Sequence, residues 1–135
     1  MSVKKQHFSE VKAIKLFGIK RLIPATQNSL KGIKAVWRNE EAFRSECILL
    51  ALAIPIALWL GETLIQQILL IVSVLFVIVI ELLNSAIETT INRIGLERNE
   101  LSGMAKDIGS AAVLVSLIIM AIIWCTILFG IVFSQ

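Results

Sequence analysis

The chain has 135 residues, 57% of them hydrophobic and only 17% charged, with a mean hydropathy of +0.85. A domain of this size has too little interior to hide so much apolar side chain, which excludes a soluble monomer, and the same composition excludes a disordered chain. The net charge of +3 conceals a gradient, because ten of the thirteen cations fall within residues 1–46 against four acids, Glu10, Glu40, Glu41 and Glu46. A basic arm beside long apolar runs points to anionic lipid headgroups rather than to nucleic acid.

From the N-terminus, Met1–Gln6 is polar and no apolar run follows it, so no cleavable leader is expected. Phe8, Val11, Ile14 and Phe17 then recur at helical spacing, and Pro24 is expected to interrupt the pattern. Beyond it Leu30, Ile33 and Trp37 share one face, while Lys31, Lys34 and Arg38 cluster on another. Residues 8–40 therefore read as an amphipathic helical region lying in the membrane interface, with helices packed on protein as the alternative.

Three apolar segments follow: Cys47–Leu60, Thr63–Ile80 and Ile108–Gln135, uncharged over 14, 18 and 28 residues. A spanning helix needs about 20 mostly apolar residues, and three segments cannot close a barrel, so each must be a helix. The expected spans are about 42–60, 63–91 and 108–133, within a single domain covering 1–135. Cys47 and Cys125 lie in or beside these runs and read as small buried hydrophobes, not as a disulfide framework or zinc site. Trp59 and Trp124 read as interfacial, pocket or packing positions. The connection after the first span carries Glu62 and no cation, whereas the Asn92–Lys106 connection carries Arg93, Arg98 and Lys106. The positive-inside rule then places the N-terminus in the cytoplasm and the C-terminus outside.

Glu81 directly follows the apolar run Val74–Ile80, where a carboxylate is costly, by about 2.5–3.5 kcal/mol or more for a central intramembrane charge. Glu81, Asn84, Ser85 and Glu88 fall within about a quarter of a helical turn's circumference. Asn84 and Ser85 can hydrogen-bond the carboxylates, while Leu82, Leu83 and Ile87 face elsewhere. One reading is a polar seam between helices; two acids on one seam repel, however, unless a cation sits between them. A magnesium ion, commonly held by one or two carboxylates plus substrate phosphates, relieves that repulsion. Glu88 and Glu40 are the candidate ligands. A charged loop expected at 97–107, with Glu97, Arg98, Asn99, Glu100, Lys106 and Asp107, suits either solvent or a nucleoside triphosphate with its metal. No P-loop or Gly-rich kinase loop is present in the sequence.

The segments WRNEEAFRSE (37–46), ELLNSAIE (81–88) and NELSGMAKDIGSAA (99–112) resemble the prokaryotic integral-membrane diacylglycerol kinases, and the likeness runs from about Arg21 into the third span. The resemblance implies an all-α membrane protein with three transmembrane helices behind an amphipathic helix, assembled as a homotrimeric bundle in the bacterial inner membrane. It implies transfer of the γ-phosphoryl group of ATP to diacylglycerol, with magnesium, giving phosphatidic acid at sites shared between subunits. By the same resemblance Glu81 is the general base, Asn84 orients it, and Glu40 and Glu88 bind the metal and ATP. Arg21, Asn28, Glu97, Arg98, Asn99, Lys106 and Asp107 fall at nucleotide positions. Ala42, Phe43, Arg44, Ser45, Glu46, Ser110 and Trp124 fall at lipid positions, beside Glu81 itself. The sequence departs from the family pattern at Asn28, Asn92, Arg98 and Asn99, where tyrosine, aspartate, a different residue and histidine are usual.

Rival expectations are an undecaprenol kinase of the same fold, a small proton-coupled transporter built on Glu81, and a membrane scaffold without catalysis. The last two leave the charged 97–107 segment without a purpose.

Overall fold

A computed structural model describes the backbone of residues 3–95, 97 and 99–133, and side chains from residue 21 onward apart from 96 and 98. The described residues form four helices and no strand: α1 (Val3–Asn39), α2 (Glu41–Leu60), α3 (Leu64–Ile94) and α4 (Glu100–Phe133). The chain divides into two compact units, Met1–Arg38 and Asn39–Gln135.

The first unit is most of α1. The helix runs through Pro24 rather than stopping there, a correction to the expected interruption. Proline removes one N–H from the ladder, and in a helix of 37 residues the bonds on either side keep it continuous. Leu30, Ile33 and Trp37 are all exposed, on the one helical face that the amphipathic pattern assigned them. The side chains of Phe8, Val11, Ile14 and Phe17 lie outside the described residues.

In the second unit α2, α3 and α4 are all long and apolar enough to cross a membrane. α3 is the central element, packed against both α2 and α4. Its inward face reads Leu70, Ser73, Val74, Val77, Ile78, Glu81, Asn84 and Ser85, recurring at three- and four-residue steps as one stripe of a helix must. Ala57 of α2, Leu70 of α3 and Ile127 of α4 form a buried cluster joining the three helices. Most other large apolar side chains point outward, among them Trp59, 85% exposed at the end of α2. Such a surface is stable against lipid and not against water.

The turn between α2 and α3 satisfies its own polar groups. Thr63 Oγ1 accepts from Gln66 N, and Gln66 Oε1 accepts from Thr63 N and Glu62 N at 3.0 and 2.8 Å, a reciprocal capping box. Gln67 Nε2 donates to the carbonyls of Leu58 and Gly61 at 3.2 and 2.9 Å. A Cβ on Gly61 would stand 2.6 Å from Gln67 Cγ and 2.9 Å from its backbone nitrogen, so only glycine fits the turn.

α4 begins at Glu100, eight residues before the expected third span. Asn99 supplies the reason. Its Oδ1 accepts from Leu101 N at 3.0 Å and Ser102 N at 3.2 Å, and Glu100 adds an acid to the first turn. Both favour helix initiation. α3 likewise continues to Ile94, so residues 100–107 of the expected 97–107 loop are helical, and Lys106 and Asp107 sit on α4.

Candidate active site

The geometry of α2 and α3 sets the depth of the carboxylates. At 1.5 Å per residue, α2 is about 30 Å long, the thickness of a hydrocarbon core. α3 is about 46 Å long by the same rise and starts at the same tight turn. About twenty residues along α3 from Leu64, near Asn84, the helix reaches the opposite boundary and its last turns project beyond it. The antiparallel register puts the beginning of α2 at that level too. Glu46 accordingly faces Glu81 electrostatically, as do Glu40 and Glu88. Residues far apart in sequence thus converge at one end of the helical hairpin.

Glu81 is 5% exposed, Asn84 9% and Ser85 3%, whereas Leu83 and Ile87 point outward. The seam expected from helical spacing is present. Asn84 Nδ2 donates to Glu88 Oε1 at 3.4 Å, a long bond, and Asn84 also stands within side-chain hydrogen-bonding reach of Glu81. Its amide therefore lies between the two carboxylates. Glu46 Oε2, Asn84 Oδ1 and Ser85 Oγ are buried without a hydrogen-bond partner. Buried polar atoms are normally paired, and these three, one on α2 and two on the facing α3, are suited to polar groups of a substrate.

Gly109 of α4 presses directly on this seam. A Cβ added there would collide with Asn84 Oδ1 and lie 3.4 Å from Asn84 Cγ. Its importance is not visible in the sequence, where it is one small residue among many in an apolar helix.

Beyond the seam, two adjoining cavities open where α3 ends and α4 begins. One, of about 300 Å³, is lined by Asn92, Gly95, Glu97, Asn99, Gly103 and Lys106 with Ile91 and Ser102. The other, of about 530 Å³, is lined by Asn99, Glu100, Gly103, Met104 and Asp107. Glu97, Asn99, Lys106 and Asp107 are thus brought together, and Lys106 Nζ donates to Asn92 Oδ1 at 2.9 Å. Asn99 spends its carbonyl oxygen on capping α4. Arg98 lies outside the described residues. Arg21 and Asn28 lie on the exposed surface of α1, in the other unit.

Among the lipid candidates, Phe43 is buried at 3%, Arg44 and Glu46 are half-buried, and Ala42, Ser45 and Ser110 are exposed. Ser45 Oγ donates to the Glu41 carbonyl at 3.1 Å. Trp124 is set apart. Its Nε1 donates to Ser73 Oγ at 3.1 Å, and Ser73 lies eight residues, about 12 Å, along α3 from Glu81. Trp124 lines a wholly apolar cavity of about 380 Å³ with Leu49, Ala53, Ile56, Val74 and Met120. Such a space suits hydrocarbon and no reacting group.

Among the described residues no three acidic, cysteine or histidine side chains close on one point as a resident metal site. Magnesium arriving on a triphosphate needs only one or two protein carboxylates. Glu40 and Glu88, both bearing on Glu81, fit that smaller requirement.

The family model for prokaryotic diacylglycerol kinase matches residues 27–128. The Haemophilus influenzae diacylglycerol kinase is 54% identical over 115 residues, covering 85% of this chain and 98% of that protein. The Escherichia coli diacylglycerol kinase is 51% identical over 113 residues, covering 84% and 93%. A Helicobacter pylori diacylglycerol kinase is 39% identical over 107 residues, covering 79% and 84%. With most of its length matched and its carboxylate seam carried on membrane-spanning helices, this chain belongs to the prokaryotic diacylglycerol kinase family.

Proposed function

We propose that the protein transfers the γ-phosphoryl group of ATP to the hydroxyl of diacylglycerol, yielding phosphatidic acid and ADP. The observation that carries this reading is the buried Glu81, flanked by Asn84 and faced by Glu40, Glu46 and Glu88 at the membrane boundary. That boundary is where a lipid hydroxyl and a water-borne nucleotide can meet. The relatives named diacylglycerol kinase favour diacylglycerol over a polyprenol as acceptor.

Phosphoryl transfer passes through a loose transition state, so positioning and charge neutralisation dominate catalysis. Glu81 accepts the proton of the lipid hydroxyl as its oxygen bonds to the γ-phosphorus and the bond to ADP breaks. Asn84 holds Glu81 in register. Glu40 and Glu88 hold the magnesium of Mg·ATP, which supplies neutralisation of the phosphate charge. Lys106 and Asp107 contact the nucleotide, with Glu97 and Asn99 beside them in the cavities at the start of α4. Ala42–Glu46 and Ser110 flank the lipid headgroup, and the cavity beside Trp124 takes acyl chain.

Three helices cannot enclose both a lipid and a nucleotide, and the three orphan polar atoms of the seam support walls contributed by neighbours in a homotrimer. The amphipathic pattern of α1 suits a helix that binds a membrane surface. The N-terminus and the α3–α4 connection face the cytoplasm, the C-terminus faces the periplasm, and the host membrane is the bacterial inner membrane. Purified protein incubated with magnesium, ATP labelled at the γ-phosphorus and mixed lipid acceptors is expected to label phosphatidic acid. Label in undecaprenyl phosphate alone would reassign the acceptor, and no label in any lipid would overturn the kinase reading.

A further inference from the structure

Asn92 has no part in the reaction as proposed above, yet its side chain is tied to a group on which that proposal depends. Its Oδ1 accepts the hydrogen bond from Lys106 Nζ, from α3 across to α4, and both residues line the smaller cavity with Glu97 and Asn99. A lysine ammonium is a mobile point charge with three donors on a flexible stem. One acceptor at that ammonium narrows its swing and leaves two N–H groups to face phosphate oxygens. An amide oxygen does this without adding a negative charge, so the positive field of Lys106 stays directed at the cavity.

A purely structural role is a poor account of the same bond. Asn92 is exposed, two residues from the end of α3. The α3–α4 pairing is already held deeper in the bundle, by Gly109 against Asn84 and by the Trp124–Ser73 bond.

The geometry points to Asn92 as a positioning residue that aims Lys106 at the nucleotide phosphates. This rests on the reading of Lys106 as a phosphate contact. The test is steady-state kinetics of purified variants against ATP and against diacylglycerol, with thermal melting alongside. Asn92→Ala is expected to raise KM for ATP about fivefold, the scale of one ordinary solvent-exposed hydrogen bond. KM for the lipid and the melting temperature stay at their starting values. Asn92→Asp keeps an acceptor oxygen in place and brings KM for ATP back to within about twofold. In a Lys106→Ala background, Asn92→Ala adds nothing.

If Lys106→Ala raises KM for ATP and Asn92→Ala does not, the inference falls and the site reading stands. If Lys106→Ala itself leaves KM for ATP unchanged, the site reading falls and takes the inference with it. A loss of melting temperature and kcat with both KM values intact would assign Asn92 a structural role and overturn the proposal. Should Asn92→Ala fail to assemble, Asn92→Ser, too short to reach the ammonium, carries the same expectation.

Discussion

Replacing Gly109 by alanine inserts one methyl group where α4 meets the carboxylate seam. The new Cβ would collide with Asn84 Oδ1 while lying 3.4 Å from Cγ and 4.0 Å from Cα of the same residue. Asn84 has little room to retreat, being 9% exposed with its amide nitrogen bonded to Glu88. Either the amide swings away from the carboxylates or the two helices part. Alanine is intrinsically the better helix former by about 1 kcal/mol, so propensity alone makes this variant more stable. Overpacking of a filled interface costs about 1–3 kcal/mol and outweighs that gain. A displacement of about 1 Å in an active site costs about 100-fold in rate. Gly109→Ala is therefore expected to lower the melting temperature in a fixed detergent and to reduce turnover by roughly 10- to 100-fold, with KM for ATP little changed. Gly130→Ala is the control, since nothing lies within 4 Å of a Cβ there. Combining Gly109→Ala with Asn84→Ala should recover melting temperature but not turnover. Normal turnover together with an unchanged or raised melting temperature in Gly109→Ala would show that α4 does not pin Asn84, and this account of the seam would be wrong.

Other outcomes follow from the same geometry. Glu81→Gln should assemble normally and lose about 10²–10⁴-fold in turnover, the usual contribution of a general base, measured by lipid labelling after checking oligomeric size. Glu40→Gln and Glu88→Gln should each raise the magnesium concentration for half-maximal rate by about tenfold, because each removes a charged ligand; magnesium titrations at saturating ATP check this. Trp124→Phe should cost about 0.6 kcal/mol through loss of the Ser73 bond, and a double-mutant cycle with Ser73→Ala, followed by detergent unfolding, should return a coupling of about that size, Ser73 keeping its separate bond to the Leu70 carbonyl.

Much of this arrangement was legible before any coordinates. The period of Glu81, Asn84, Ser85 and Glu88 specified one face, and that face is the buried one, because a helix in lipid turns its polar stripe inward. Long uncharged runs likewise marked three helices. Their ends were harder, since hydropathy reports only the part of a helix that needs lipid. The first two turns of α4 carry Glu100, Lys106 and Asp107 and escaped that criterion, although Asn99 followed by Glu100 was a readable initiation signal. Pro24 misled for the opposite reason: one proline weakens a helix locally and says nothing of what continues on both sides. The approach of Gly109 to Asn84 and the bond from Lys106 to Asn92 left no trace in any periodicity. They depend on how α3 and α4 are offset, which is a property of the pair and not of either segment.

The turn at Gly61–Gln67 has a consequence for biogenesis. Backbone and side-chain groups that would otherwise call for water are answered within residues 58–67, and Glu62 is the lone charge there. Two apolar helices joined by such a self-contained bend can be threaded into a bilayer together as a preformed hairpin, without a hydrated loop to drag across. Insertion of this pair would then place Glu40, Glu46, Glu81 and Glu88 at one surface in a single event, so the carboxylates are assembled by the act of entering the membrane.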